Sequence, residues 1–148
     1  MAALRRILFA SDFSPASGRA FTTAVAIAKA ARTTLTIVHV IAPWTPFVPE
    51  QLLVSEQQER IEDETRRRSR AHLDRLTDKA RKAGVRAASL LLEGEPAAQI
   101  LRAARTTGAG LIVVGTHGRT GLNKFFVGSV AARIVATAAC PVLTVRGR

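Results

Sequence analysis

Glycines, a serine and basic side chains are concentrated in one late segment of the chain, residues 115–129. The segment follows the apolar run 111–114, which is typical of a fully buried strand, and it leads into residues 130–138, which have the pattern of a helix. Glycine permits positive φ and close approach of the backbone to a ligand, and the first N–H groups of a helix have no internal partner and favour an anion. The segment therefore has the features of a phosphate-binding loop.

The spacing excludes two common phosphate-binding loops. A Walker A loop requires Gly-x4-Gly-Lys-Ser/Thr, but Gly115 and Gly121 are too far apart and Leu122 stands in place of the lysine. The dinucleotide fingerprint Gly-x-Gly-x-x-Gly is absent, and the glycine turn comes late in the chain rather than after the first strand. The pattern that remains is Gly-x2-Gly-x9-Gly-Ser, formed by Gly115, Gly118, Gly128 and Ser129.

This pattern, followed by the stretch 139–145, resembles the universal stress protein family, in particular its ATP-binding branch. The resemblance extends from Ser11 and Asp12 to the last strand and covers nearly the whole chain. It implies one universal stress protein domain over residues 1–148, a role in stress responses, and ATP with Mg²⁺ as ligands. One departure is Gly110, which replaces a common aspartate; we expect it to loosen a turn without touching the pocket.

The elements that must position the glycine loop alternate along the chain. We predict strands at residues 4–10, 34–41, 85–92, 111–115 and 141–145, and helices at 15–31, 50–83, 95–107 and 130–138. Ser14 is the predicted N-cap of the first helix, and Ile61 belongs to the broken apolar stripe of the second. This alternation indicates an α/β fold in which right-handed crossovers build an open five-stranded parallel sheet with helices on both faces. The resemblance to the family and to flavodoxin-like sheets implies the strand order 3-2-1-4-5, an adenine nucleotide alpha-hydrolase-like arrangement.

This strand order predicts where a ligand would bind. In an open parallel sheet, ligands bind beyond the carboxyl ends of the strands at the point where the order reverses, here between the first and fourth strands. Asp12 follows the first strand and the glycine loop follows the fourth. We therefore expect them to face each other across one crevice.

The resemblance implies which residues would contact the nucleotide. Asp12 and Val40 would hold the adenosine part, while the phosphates would lie on backbone N–H groups of the glycine loop and the following helix. A turn residue or helix-entry acid is the alternative for Asp12, and core packing is the alternative for the Val40 side chain. The cofactor-binding residues predicted in this way are Ala10, Ser11, Asp12, Val40, Gly115, His117, Gly118, Arg119, Gly121, Gly128, Ser129 and Val130.

Several of these roles stay open in the sequence. Ser129 can donate to a phosphate or reach phosphate-bound Mg²⁺, or it can serve only as a helix N-cap. Arg119 and Lys124 can neutralise the phosphates or simply be solvated. Trp44 and Phe47, in a loop punctuated by prolines, can form a lid over the adenine or an apolar plug over the sheet edge.

The sequence favours a binding protein over an enzyme. No carboxylate lies inside the glycine loop to position water, and the serine nearest the phosphates has no evident base. We therefore expect a nucleotide-dependent binding or sensing protein with at most slow ATP hydrolysis. The alternative is a protein-interaction module of the same fold that binds no nucleotide.

Histidine spacing, the single cysteine and the lengths of the apolar runs limit which partners and which cellular compartment we expect. His39, His72 and His117 lack the spacing of a metal site, so we expect no metal bound by protein ligands alone. Cys140 cannot form an internal disulfide, which agrees with a reducing compartment, and its apolar surroundings predict a buried, unreactive thiol. No apolar run approaches the roughly 20 residues of a membrane helix, and Asp12 interrupts the short apolar run near the start. We expect a cytoplasmic protein with no membrane partner.

The formal charge of +11 raises the question of a nucleic-acid partner. Basic residues are spread over most of the chain without interleaved aromatic residues to stack bases, so nucleic acid is not expected as the main partner. In the long predicted helix, acids stand four residues before bases and predict a salt-bridged surface. These pairs are Glu62 with Arg66, Asp63 with Arg67, and Glu64 with Arg68.

The last predicted strand bears on the oligomeric state. Val142–Val145 would lie at the edge of the sheet. This stretch is apolar and carries no charge or proline to prevent pairing with another chain, so it favours aggregation unless the edge is covered. Pairing with its own copy across a two-fold axis, as is common in the family, would cover it. We therefore expect a homodimer.

Overall fold

The computed structural model describes residues 4–43, 55–116 and 128–147. Five strands pair in parallel in the order β3-β2-β1-β4-β5, which confirms the predicted α/β class and strand order. The strands are β1 (Ile7–Ala10), β2 (Leu35–Ile41), β3 (Ala87–Glu93), β4 (Leu111–Gly115) and β5 (Val142–Val145). The helices are α1 (Pro15–Ala30), α2 (Ser55–Lys82), α3 (Pro96–Thr107) and α4 (Ser129–Thr137). The predicted start of α2, at residue 50, lies outside the described residues.

Helices cover both faces of the sheet. On the face packed against α1 and α2, Phe9 and Leu73 are completely buried. On the face packed against α3 and α4, Leu8 and Ile134 are completely buried. Successive strand residues point to opposite faces, so a strand covered on both sides must be apolar throughout, as β1 is.

Local signals set the ends of α1 and α3. Ser14 caps α1 as predicted, because its hydroxyl accepts the Ser17 N–H at 3.2 Å, and Pro15 takes the first helical position. Gly108 ends α3 with φ of 67°, a conformation that glycine adopts without steric cost. These signals explain why both helices were predicted to within one residue.

Two strands begin later than the sequence predicts. β1 begins at Ile7 rather than at residue 4, because Arg6 has a φ of 50° and interrupts the extended backbone. β3 begins at Ala87 rather than at residue 85, because the Val85 N–H still bonds to the Ala80 carbonyl and completes the turn after α2.

Gly110 joins the turn before β4 to the segment that precedes β1. Its N–H donates to the carbonyls of Arg5 and Arg6, at 2.8 and 2.9 Å. A Cβ at this position would lie 2.7 Å from the Arg5 carbonyl oxygen, so a larger residue would push the two segments apart. Glycine therefore fits here because of close approach to Arg5, and Gly110 does not line the cavity described below, as expected.

The exposed face of α2 carries most of the predicted ion pairs. Glu62 lies 3.9 Å from Arg66 and Glu64 lies 2.9 Å from Arg68, as predicted. Asp63 contacts Arg66 at 3.3 Å instead of the predicted residue 67, because i and i+3 positions are also neighbours on a helix.

Two residues expected in the interior are more exposed. Ile61, placed by the sequence in the apolar stripe of α2, is 51% exposed. Cys140 is half-buried, and burial raises the pKa of its thiol, which favours the unreactive protonated form.

Within the described ranges, none of the helices combines the length and the apolar character that crossing a bilayer requires.

Candidate functional site

A cavity of about 320 Å³ opens at the carboxyl ends of β1, β2 and β4, beside the first turn of α4. The crevice exists because α1 and α4, which follow β1 and β4, pack on opposite faces of the sheet. All the predicted binding residues that the structure describes line this cavity: Ala10, Ser11, Asp12, Val40, Gly115, Gly128, Ser129 and Val130. The other predicted residues lie outside the described ranges, namely His117, Gly118, Arg119, Gly121, Lys124, Trp44 and Phe47.

Asp12 combines a structural and a ligand-facing position. Its Oδ1 atom accepts the Ser14 N–H at 2.9 Å and closes the turn that begins α1. Its second carboxylate oxygen makes no hydrogen bond to the described residues, and the side chain lines the cavity. One oxygen therefore builds the turn, while the other is available to accept a hydrogen bond from a ligand.

Serine side chains fix the same turn. The Ser11 hydroxyl accepts the Phe13 N–H at 3.1 Å and lies 3.3 Å from the Ser17 hydroxyl. Because Ser17 donates its own proton to the Ser14 carbonyl at 2.9 Å, Ser11 is the donor between the two hydroxyls. Ser14 and Ser17 also line the cavity, which the sequence did not indicate beyond the capping role of Ser14.

Phe13 connects this turn to two histidines. Its φ is 62°, an uncommon value for a large side chain, and its ring stacks on His39 at 4.0 Å and on His72 at 4.6 Å. His39 donates its Nδ1 proton to the Ser11 carbonyl at 2.7 Å, because a carbonyl oxygen can only accept. His39 lines the cavity, whereas the sequence considered it only as a metal ligand.

The first turn of α4 supplies hydrogen-bond donors to the cavity. Gly128 is the N-cap, and the first helical bond runs from the Ala132 N–H to the Gly128 carbonyl. The N–H groups of Ser129, Val130 and Ala131 consequently have no partner among the described residues, and all three residues line the cavity. Ser129 makes no capping bond and is already helical, so the alternative that it serves only as an N-cap is wrong.

The two ends of the glycine segment are joined. The Gly128 N–H donates to the Thr116 carbonyl at 2.7 Å, and a Cβ on Gly128 would lie 3.2 Å from that oxygen. Gly128 has a φ of −54°, and Gly115 is not among the described glycines with positive φ. Of the two properties that the sequence analysis gave for glycine, positive φ applies to neither residue, and close approach of the backbone applies at Gly128.

An apolar wall completes the cavity. It is formed by Val38, Pro96, Ile100, Val114 and Ala131, none of which the sequence singled out. The period of two along β2 connects Val38 with Val40 and could have identified Val38. No sequence pattern could have identified Pro96 and Ile100 of α3 as lining residues, because their position depends on how that helix packs across the sheet.

Glu95 ties the starts of α3 and α4 together. Its carboxylate accepts the N–H groups of Ala97 and Ala98, at 3.2 and 2.7 Å, and lies 2.7 Å from a guanidinium nitrogen of Arg133. The hydrogen bond from Ala98, with smaller contributions from Ala97 and Arg133, holds the pKa of Glu95 below its usual range.

The chemistry of the lining is well defined within the described ranges. Among the residues that the structure describes, Asp12 is the only charged one that lines the cavity, and no group of histidine, cysteine and acidic residues could hold a metal ion. The cavity offers one carboxylate acceptor, backbone donors at a helix N-terminus and an apolar wall. This arrangement suits a ligand that combines an apolar ring, hydroxyl groups and an anionic tail.

Comparison with known proteins gives consistent matches over nearly the whole chain. A model of the universal stress protein family matches residues 3–146. A universal stress protein of Bacillus subtilis is 33% identical, covering 95% of this chain and 98% of that protein. A universal stress protein of Thermus aquaticus is 37% identical, covering 96% and 98%.

Solved structures agree in fold. A universal stress protein of Lactobacillus plantarum has a TM-score of 0.77 and 26% identity, covering 99% of this chain and all of that one. A universal stress protein in complex with cAMP has a TM-score of 0.73 and 24% identity, covering 98% of each chain. One from Archaeoglobus fulgidus in complex with dAMP has a TM-score of 0.67 and 23% identity, covering 97% and 99%.

Proposed function

The chain belongs to the universal stress protein family, and we propose that it binds ATP with Mg²⁺ in the cavity at the carboxyl rim of its sheet. In this role it acts as a nucleotide-dependent binding protein of a stress response. One observation carries the proposal: the unpaired N–H groups of Ser129, Val130 and Ala131 line the same apolar-walled cavity as the available oxygen of Asp12.

Each part of the nucleotide has a complementary surface. The adenine ring packs against Val40 and Ile100, and the ribose hydroxyls donate to Asp12. The phosphates accept from the N–H groups that begin α4, where the helix dipole also favours an anion. Val40 presents its backbone at the end of β2, where it can bond the edge of the adenine.

Mg²⁺ enters with the phosphates and neutralises part of their charge. The Ser129 hydroxyl fits this role, because it is an oxygen ligand at the helix start and has no hydrogen bond to other described residues. Mg²⁺ usually keeps several waters and needs few protein ligands beside phosphate oxygens. A cavity without a cluster of acidic side chains is therefore compatible with the metal.

The adenine nucleotides in two solved family members support the choice of ligand class. Both of those ligands carry a single phosphate, whereas the unpaired N–H groups at α4 and the basic residues of the glycine segment favour a longer anionic tail. We expect at most slow hydrolysis, since no carboxylate of the described residues other than Asp12 lines the cavity.

Mass spectrometry of small molecules released from freshly purified protein tests the ligand directly. We expect ATP, or ADP formed from it, at a substantial molar fraction of the protein. A protein that retains no adenylate and also binds none on addition would contradict the proposal and favour an interaction module of the same fold.

A further inference from the structure

A second cavity, of about 260 Å³, lies between α1 and α2 on the other side of the Ser11–Ser17 turn. Its walls include the rings of Phe13 and Phe21 and the side chain of Leu76. Phe21 is 8% exposed and belongs to the core, so packing fixes this part of the wall. The cavity is somewhat smaller than the roughly 300 Å³ at which pockets for drug-sized ligands begin, and it suits a ligand of one or two rings.

Cations line the mouth of this cavity. Arg75 and Lys79 both contribute to the lining, and no acidic side chain of the described residues does. The Arg75 guanidinium donates to His72 Nδ1 at 2.9 Å, which holds it beside the cavity. The Lys79 ammonium group makes no hydrogen bond or ion pair with the described residues. Like charges at i and i+4 of a helix repel each other, and an anion between them removes that cost.

Gly18 leaves one side of this cavity open. It lies inside α1 and lines the cavity, and nothing lies within 4 Å of the position that a Cβ would take. Its φ is not positive and no close approach requires glycine there. Gly18 is exposed, so a side chain added at this position would extend from α1 over the cavity without meeting another described residue.

We propose that this second cavity binds a small aromatic carboxylate. The ring would pack against Phe13, Phe21 and Leu76, and the carboxylate would lie between Arg75 and Lys79. A guanidinium and an ammonium group are the usual partners of a carboxylate, and an apolar ring matches the walls.

The site is adjacent to the nucleotide cavity and distinct from it. Ser11, Ser14 and Ser17 line both cavities, and the Phe13 ring stands between His39, which lines the first, and His72, which lines the second. A ligand against Phe13 therefore contacts the residue that follows Asp12. The second site does not depend on the proposed function, because its walls and charges exist whether or not a nucleotide binds.

The test titrates 2-naphthoate into the full chain and follows the amide cross-peaks by NMR. We expect saturable shifts centred on Gly18, His72 and Lys79, with a Kd of about 1 mM or lower. The isosteric neutral amide, 2-naphthamide, should bind at least about tenfold more weakly. Mg-ATP added in excess should leave 2-naphthoate bound, and this holds equally if ATP itself fails to bind.

Variants separate the proposed site from general charge attraction. Arg75→Gln with Lys79→Gln should weaken 2-naphthoate at least about tenfold, whereas Arg67→Gln with Lys82→Gln, which removes the same charge outside the cavity, should not. Gly18→Leu should fill the cavity and abolish binding without loss of stability. The proposal is overturned by the absence of saturable shifts, by shifts centred on Val130 instead, or by equal weakening in the two double variants.

Discussion

The carboxylate of Asp12 has two tasks that a single substitution can separate. Asn at position 12 keeps an oxygen that accepts the Ser14 N–H, but it loses the charged acceptor that faces the cavity. We expect Asp12→Asn to weaken ATP binding about tenfold or more, since hydrogen bonds to charged groups are the stronger class. Calorimetry with Mg-ATP and a thermal melt of the same sample measure both effects.

Asp12→Ala is the matched control for this experiment. It removes the turn bond as well, so it should weaken binding and also lower the free energy of unfolding by about 1 kcal/mol. If Asp12→Asn binds ATP like the wild type, Asp12 is only a turn residue and the ribose contact is wrong.

Glu95 gives a prediction about pH at the start of α3. Its pKa is lowered in the folded protein by the N–H of Ala98 and by Arg133, so ionised Glu95 contributes stability above the pKa of the unfolded chain. That contribution is lost as the pH falls through the lowered folded pKa. We therefore expect Glu95→Gln to flatten the decline in melting temperature below about pH 5.

A second acid-to-amide change controls for the general effect of lost charge. Glu59 is exposed on α2, and its carboxylate makes no hydrogen bond to the described residues. Glu59→Gln should leave the decline in melting temperature below about pH 5 as it is in the wild type. An identical profile for Glu95→Gln would contradict the role of Glu95 as a charged cap that joins α3 and α4.

At the scale of elements, α2 contains positions that are buried against the sheet and positions that are exposed to solvent. Leu73 is completely buried against the sheet, whereas Ile61 is 51% exposed. We expect Leu73→Ala to lower the free energy of unfolding by about 2–5 kcal/mol, because it leaves a cavity in the core. Ile61→Ala should change it by less than about 0.5 kcal/mol. Urea denaturation measures both, and similar losses in the two variants would contradict this division.

The sequence predicts closely the elements whose ends are marked by residues with strong backbone preferences. Pro15 and Gly108 set helix ends by their own backbone preferences, and the apolar run of β4 is bounded on both sides. The starts of β1 and β3 were placed too early, because the φ of Arg6 and the bond from Val85 to the end of α2 have no signature in the residue types.

The residues of the candidate site also fall into a group that the sequence predicts and a group that it does not. Asp12 and the residues that begin α4 follow strand ends, so the rule for parallel sheets predicts their meeting from chain order alone. Ile100 and His39 reach the cavity through the packing of α3 and the stacking on Phe13, which are long-range contacts. No pattern of residue types in one stretch of the chain reports such contacts.

At the scale of the molecule, the sheet has an edge that suggests an assembly. β5 lies at the end of the strand order, and Val142, Leu143, Thr144 and Val145 are each half-buried in the isolated chain. We expect this edge to pair with its copy in a homodimer. Light scattering at micromolar concentration should give twice the chain mass of 15.9 kDa, and a mass of one chain would contradict the assembly.

ATP binding is expected to depend most on the backbone N–H groups at the start of α4, and calorimetry of Mg-ATP binding tests this dependence most directly. Wild-type protein should give saturable heat, whereas Gly118→Val with Gly128→Val should give none and keep its circular dichroism spectrum. Gly18→Val, at a glycine with open space around it, should bind ATP like the wild type. Equal heat from the double variant, or no heat from the wild type, would contradict the central claim.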